Sequence, residues 1–149
     1  MNTERVHNID QQELQHLISV STGFIDAYII ECYNQVPMLI PQNIVLSAQN
    51  TGTQADVLTW HEVDLPIYAI HHPDMKEGIA LVIEGEETTQ RFALLCNEMP
   101  RGIRLRISEV VDDDRLIDDP KVFQYVVAEG KQYQIPNLVE IQRELGIPV

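Results

Sequence analysis

Cysteine is scarce in this chain: Cys32 and Cys96 are the whole supply among 149 residues, each inside an apolar run, IIECY and ALLCN. Two isolated thiols in such runs read as reduced, buried hydrophobes and not as a disulfide framework. A chain of this length can bury enough apolar surface to fold unaided, so no disulfide or metal staple is required. Basic residues are sparse too. Ten lysines and arginines stand against 23 aspartates and glutamates, a formal net charge of −13, and the cations are too scattered to track a phosphate backbone. Neither nucleic acid nor an anionic membrane is expected as a partner. No apolar run approaches the roughly 18 residues that span a bilayer, and MNTERVHNID has no basic region leading into an apolar stretch. The expectation is a cytoplasmic protein without direct membrane insertion.

The constellations of catalysis are missing as well. The seven glycines are dispersed, so no loop gathers backbone amides around a phosphate. None of Ser19, Ser21, Ser47 and Ser108 stands in a glycine-flanked strand-to-helix elbow. His61-Glu62 matches the first half of a zinc-protease helix, but Leu65 occupies the position of the second histidine. His71 and His72 are neighbours in or just after a strand, where pleating points them to opposite faces and away from one shared ion. Asp112, Asp113, Asp114, Asp118 and Asp119 supply carboxylates as a calcium loop does, without its glycine or terminal glutamate. A solvated loop between a strand and a short helix, with an aspartate as cap before Pro120, accounts for them more simply. Glu84, Glu86 and Glu87 read as an exposed turn. No catalytic residue, metal ligand or cofactor is expected.

What is present is mostly strand. Short apolar runs separated by polar turns predict strands at Ala27 to Tyr33, Met38 to Ala48, Glu62 to Ile70, Ile79 to Glu84, Phe92 to Glu98, Ile103 to Val111, Tyr125 to Ala128 and Gln132 to Ile135. Glu129-Gly130 suits a tight hairpin. No connection leaves room for repeated crossover helices, which excludes a doubly wound parallel sheet and favours a sandwich or small barrels. Helices are expected only near the ends. One covers about 10–20, with Asp10 as cap, Glu13 three residues on, and Ile9 with Leu14 as a staple. The other covers about 138–145, with Asn137 as cap, Glu140 at its third position, Gly146 as stop, and Leu138, Ile141 and Leu145 as its buried stripe. The fold class is all-β with short terminal helices.

One local positive field stands out. Ile103, Leu105 and Ile107 alternate with Arg104, Arg106 and Ser108, and Arg101 lies just upstream. The arginines can be the polar face of an edge strand balanced by nearby aspartates, or a docking surface for an acidic partner.

Laid end to end, these segments resemble the CheW-like family, the scaffold domains of bacterial chemosensory arrays, from about Phe24 to the C-terminus. AYIIECYNQVPMLIPQNIVLSA is similar to the family's opening pair of strands with its asparagine-plus-apolar step, here Asn43-Ile44. TWHEVDLPIYAI resembles the central segment with its proline, here Pro66. RFALLCNEMPRGIRLRISEV resembles the segment leading to a strand edge, and VFQYVVAEGKQYQIPNLVEIQREL the closing hairpin and helix. The centre departs from the pattern: His61 and Glu62 stand where the family usually has arginine then glycine, and Ala69 where it has aspartate.

The resemblance implies a single domain over residues 1–149, built as two packed five-stranded β-barrels with a groove between them. It implies no enzymatic activity and no cofactor, and two partners, a CheA-type histidine kinase and a methyl-accepting chemoreceptor. The divergent centre is similar to an auxiliary adaptor, close to the ChpC type, of the pilus-linked systems that govern twitching. By position, Ile44 and Leu46 correspond to the first-barrel edge strand, and His61, Glu62 and Val63 to the central segment that contributes to partner binding. Arg104 and Arg106 join them on charge alone. The alternatives are a small-ligand sensor using the groove, and a metal-dependent hydrolase using His61, Glu62 and the aspartates.

Overall fold

Apolar residues at successive positions of a pleated strand cannot share one core, because neighbours point to opposite sides of the sheet. The runs MLI, IALVI and FALLC have that character, and the protein gives each a core on both faces. The computed structural model describes residues 23–149, so the helix expected over about 10–20 lies outside the described residues.

The first half of the chain forms β1 (Phe24–Cys32), β2 (Gln35–Pro41), β3 (Val45–Gly52), β4 (Val57–Trp60), β5 (Val63–Ala69) and β6 (Glu77–Ile83). The second half forms β7 (Phe92–Cys96), β8 (Arg101–Arg106), β9 (Val111–Asp112), β10 (Val122–Ala128), β11 (Lys131–Pro136) and the helix α1 (Leu138–Glu144). They build two curled sheets, one ordered β8-β1-β2-β11-β10-β9 and the other β3-β6-β7-β5-β4. Pairing is antiparallel except between β2 and β11 and between β5 and β7. The all-β class and the two-lobed plan are those expected from the sequence. The two-residue β9 makes the first lobe six-stranded.

Alternation along the strands sorts side chains into three apolar clusters. Ala27, Ile29, Leu39, Leu105 and Val126 fill the interior of the six-stranded sheet. Leu58, Leu65, Ala80, Val82 and Ala93 fill that of the five-stranded sheet. Their neighbours in sequence, Ile30, Met38 and Ile40 from one sheet and Leu81, Ile83 and Phe92 from the other, meet between the lobes. Phe92 and Leu81 are wholly buried there, each worth about 1.5–3 kcal/mol relative to exposure.

The C-terminal helix closes this middle cluster with Ile141, followed by Ile147. Its ends follow the expected chemistry. The Asn137 side chain accepts a hydrogen bond from the Glu140 amide at 3.3 Å. At the other end Gly146, at φ 78°, allows its amide to reach Arg143 O at 3.0 Å and the Ile147 amide to reach Gln142 O at 2.9 Å, a Schellman stop.

Five local expectations change. The single strand over Met38 to Ala48 is two strands in different sheets, because Pro41 closes β2 and a 3-10 turn, Gln42–Ile44, carries the chain across. β4 was not expected at all, its four residues being too few to show a period. Glu62 does not begin a strand: with His61 it forms the two-residue turn between β4 and β5, at φ 49° and 66°. The strand over Ile103 to Val111 stops at Arg106, where a 3-10 turn, Ile107–Glu109, leads to β9 on the opposite edge of the sheet. The aspartate-rich loop also leads into no helix. Asp119 accepts the Lys121 amide through its carboxylate at 2.9 Å and the Val122 amide through its carbonyl at 3.0 Å, turning the chain into β10.

Candidate docking cleft at the junction of the two sheets

Where the chain crosses between sheets, the 3-10 turn at Gln42–Ile44 faces α1 and the 84–90 loop across a cleft of about 420 Å³. Ile44, Leu138 and Val139 give it an apolar floor, and Glu84 and Glu86 an acidic rim. Ile44 and Leu138 also pack on the interlobe core, so the floor is anchored to the best-packed part of the molecule. Val139 is 46 % exposed and points away from the helix stripe that enters the core.

Hydrogen bonds hold the walls together. The Glu84 amide donates to Ile44 O at 2.9 Å, tying the crossing to the end of β6. Gln142, only 4 % exposed, donates through Nε2 to Gln90 O at 3.2 Å. Gln90 in turn donates to Pro148 O at 3.2 Å, and its Oε1 accepts the Glu87 amide at 3.1 Å. A buried amide satisfied in this way makes the helix and the loop one unit.

Arg91 fixes the rim. Its Nε and an Nη reach the two Glu84 carboxylate oxygens at 2.7 and 3.1 Å, and the guanidinium lies 5.3 Å from the centroid of the Trp60 ring. That hydrogen bonding holds the Glu84 carboxyl below its ordinary range and the Arg91 guanidinium above its own. The Trp60 ring then contacts His61 at 4.2 Å, so the β4–β5 turn is linked through side chains to the cleft rim. With Arg91 engaged by Glu84, the exposed Glu86 gives the mouth a negative character.

The sequence candidates occupy several places. Ile44 is half-buried in the cleft wall. Leu46 lies two residues on, 37 % exposed on β3, and this corrects its expected position: β3 is an edge of the five-stranded sheet and not part of the N-terminal strand pair. Pro41 causes the difference by ending the first sheet's strand before either residue is reached. His61, Glu62 and Val63 sit at the exposed tip of the β4–β5 hairpin, on the other edge of that sheet, with Val63 55 % exposed. Arg104 and Arg106 lie on β8, the edge of the six-stranded sheet. Sequence reasoning missed Val139 and Gln142 as members of the cleft. An apolar residue outside the 138, 141, 145 stripe was the available signal for Val139; Gln142 gave none.

The two thiols and His72 fit structural roles. Burial pushes the Cys32 thiol to about 12 and the Cys96 thiol to about 11, which keeps both protonated and unreactive near neutrality. The His72 ring packs edge-on against Tyr33 at 4.7 Å, and its Nδ1 accepts the Asp74 amide at 3.0 Å. Among the described residues, no three His, Cys, Asp or Glu side chains gather as metal ligands, and no helix is long and apolar enough to cross a membrane.

No protein-family model and no curated protein matches the sequence. A solved structure does match: the scaffolding protein TtCheW from Thermoanaerobacter tengcongensis, with a TM-score of 0.60 over 76 % of this chain and 88 % of that one, at 8 % identity. The two chains share a fold.

Proposed function

We propose that this protein is a non-catalytic adaptor that couples a methyl-accepting chemoreceptor to a CheA-type histidine kinase. The observation that carries the reading is the junction cleft, an apolar floor of Ile44, Leu138 and Val139 under an acidic rim, in a fold shared with a scaffolding protein. A desolvated apolar centre with a polar rim is the anatomy of a protein-binding site, and the apolar floor suits the apolar face of a partner helix. Ile44 and Leu46 contribute on one side of the five-stranded sheet, and His61, Glu62 and Val63 form a second contact at the hairpin tip. An adaptor between a receptor's inner tip and a kinase works in the cytoplasm.

The finer placement is an auxiliary adaptor of a pilus-linked array governing twitching, close to the ChpC type. Its support is the His61-Glu62 turn. Glu62 sits at φ 66°, where the family's usual glycine would be unstrained, so the departure in sequence falls on a position of special backbone geometry.

The test is binding of the purified protein to the regulatory domain of its host's kinase and to a receptor-tip fragment. Micromolar affinity, lost in Val139→Asp while the thermal midpoint is unchanged, is the expected result. Absence of binding to either fragment would sink the adaptor reading, and stabilisation by a metabolite in the same assay would favour the small-ligand sensor.

A further inference from the structure

Away from the junction, β8 ends the six-stranded sheet, and among the described residues it pairs only with β1. Its other flank faces the β10–β11 hairpin without a ladder between them, although Ile103 and Leu105 share an apolar cluster with Val126, Ala128 and Tyr133. Two clefts, of about 410 and 150 Å³, run consecutively along this flank. The larger lies between Arg101–Ile103 and Lys131 with Tyr133, the smaller between Leu105–Arg106 and Ala128, and Glu129 borders both. A seam therefore runs along the lobe, and one of its walls is a strand that, among the described residues, carries no second strand.

The seam is richer in cations than the rest of the molecule, with Glu109 and Glu129 as the carboxylates of its lining. Arg101, Arg104, Arg106 and Lys131 gather here in a chain of net charge −13 that has only ten such cations. Their intramolecular neutralisation is loose: Arg104 stands 3.7 Å from Asp26 and Arg106 3.7 Å from Glu109, all four side chains more than half exposed. Exposed pairs of that kind are weak and exchange readily for a better anion. Both guanidiniums also lie 4.9 Å from the centroid of the Phe24 ring. Burial alternates with position, Ile103 and Leu105 inward and Arg104 and Arg106 outward.

We propose that the seam receives an extended acidic segment of a protein partner, which adds to the free edge of β8 as a further strand. Its carboxylates, at every second residue, face Arg104 and Arg106, and the alternate apolar residues enter the seam beside the half-buried Ile103. Backbone hydrogen bonds to β8 give such a segment its affinity, and the arginines its sign and register. Edge arginines also discourage pairing with a second cationic edge, so the feature that admits an acidic strand rejects a copy of itself. The inference deepens the adaptor reading by naming the chemistry of one partner, and its test uses neither kinase nor receptor.

Random peptides displayed on phage are selected on the full chain, and enriched sequences are measured against the wild type, Arg104→Glu/Arg106→Glu, Arg104→Ala/Arg106→Ala and the remote control Lys76→Glu. Near-UV circular dichroism checks that each variant is folded. Expected are sequences alternating Asp or Glu with apolar residues, whose affinity falls on the order of tenfold or more on charge reversal, less on truncation, and not in the control. Binding should also protect the amides of residues 101–106 from hydrogen exchange. A neutral or basic consensus, no enrichment, binding indifferent to the arginines, or protection confined to other residues would each overturn the proposal. A short DNA duplex bound through the same arginines, where peptides fail, would overturn it in favour of a general polyanion site. Failure of kinase binding with success here would sink the adaptor reading alone.

Discussion

His61 and Glu62 are the residues at which local backbone preference is most clearly overridden. Two-residue hairpin turns with both φ values positive favour Asn-Gly because a β-carbon crowds the following carbonyl oxygen there, a cost that glycine avoids and asparagine offsets by local hydrogen bonding. Glu129-Gly130, at 51° and 74°, meets half of that preference, and His61-Glu62 meets none of it. Glu62→Gly should therefore stabilise the protein, by about 0.5–1 kcal/mol after the extra freedom of glycine in the unfolded chain is counted, as read from urea midpoints. If the strain serves binding, the same variant should weaken kinase affinity. Glu84 allows a second prediction. Its folded pKa is depressed from the ordinary 4.5 by Arg91, so the pair stabilises above that pH and the contribution is lost as pH falls through the depressed value. Arg91→Ala should be less stable than wild type at neutral pH, and the gap should narrow as pH falls through the depressed Glu84 value.

At the scale of the element, α1 is the part whose local chemistry is most complete. Asn137 caps its start, Gly146 ends it, and Ile141 anchors it in the interlobe core. The two ends and the buried stripe were legible in the sequence, since capping and the 3.6-residue period act within a few residues, whereas the core that the stripe enters was not. Asn137→Ala should cost about 1 kcal/mol in unfolding free energy. Because Val139 and Leu138 form the cleft floor, the same change should loosen partner binding as well, and unaltered affinity would separate the helix start from the site. β4 and β9 lie at the other extreme. Four and two residues carry no readable period, and each exists because an adjacent strand offers a ladder, β5 to one and β10 to the other.

For the whole molecule the decisive feature is that β1, β2, β6 and β7 each contribute to two cores. Phe92 and Leu81 in the five-stranded sheet contact the same cluster as Ile30 and Met38 in the six-stranded one. The lobes should therefore unfold together, in one transition seen alike by far-UV and near-UV circular dichroism. Phe92→Ala should lower the stability of both lobes by about 3–5 kcal/mol without splitting that transition. Two separate transitions would show that the interlobe cluster does not couple them.

The sequence by itself determined the strand-rich class, the two-lobed plan through its resemblance, the C-terminal helix with both its ends, and the unusual clustering of arginine on one strand. These follow from alternation, capping and charge, which act over short distances along the chain. Only the tertiary structure decided that Met38 to Ala48 divides between sheets, that His61 and Glu62 form a strained turn, and that Val139 joins Ile44 across a cleft. It alone revealed that β8 borders an open seam. Those outcomes depend on which strands pair and which faces meet, and pairing between residues distant in sequence leaves no periodic mark in the sequence of either.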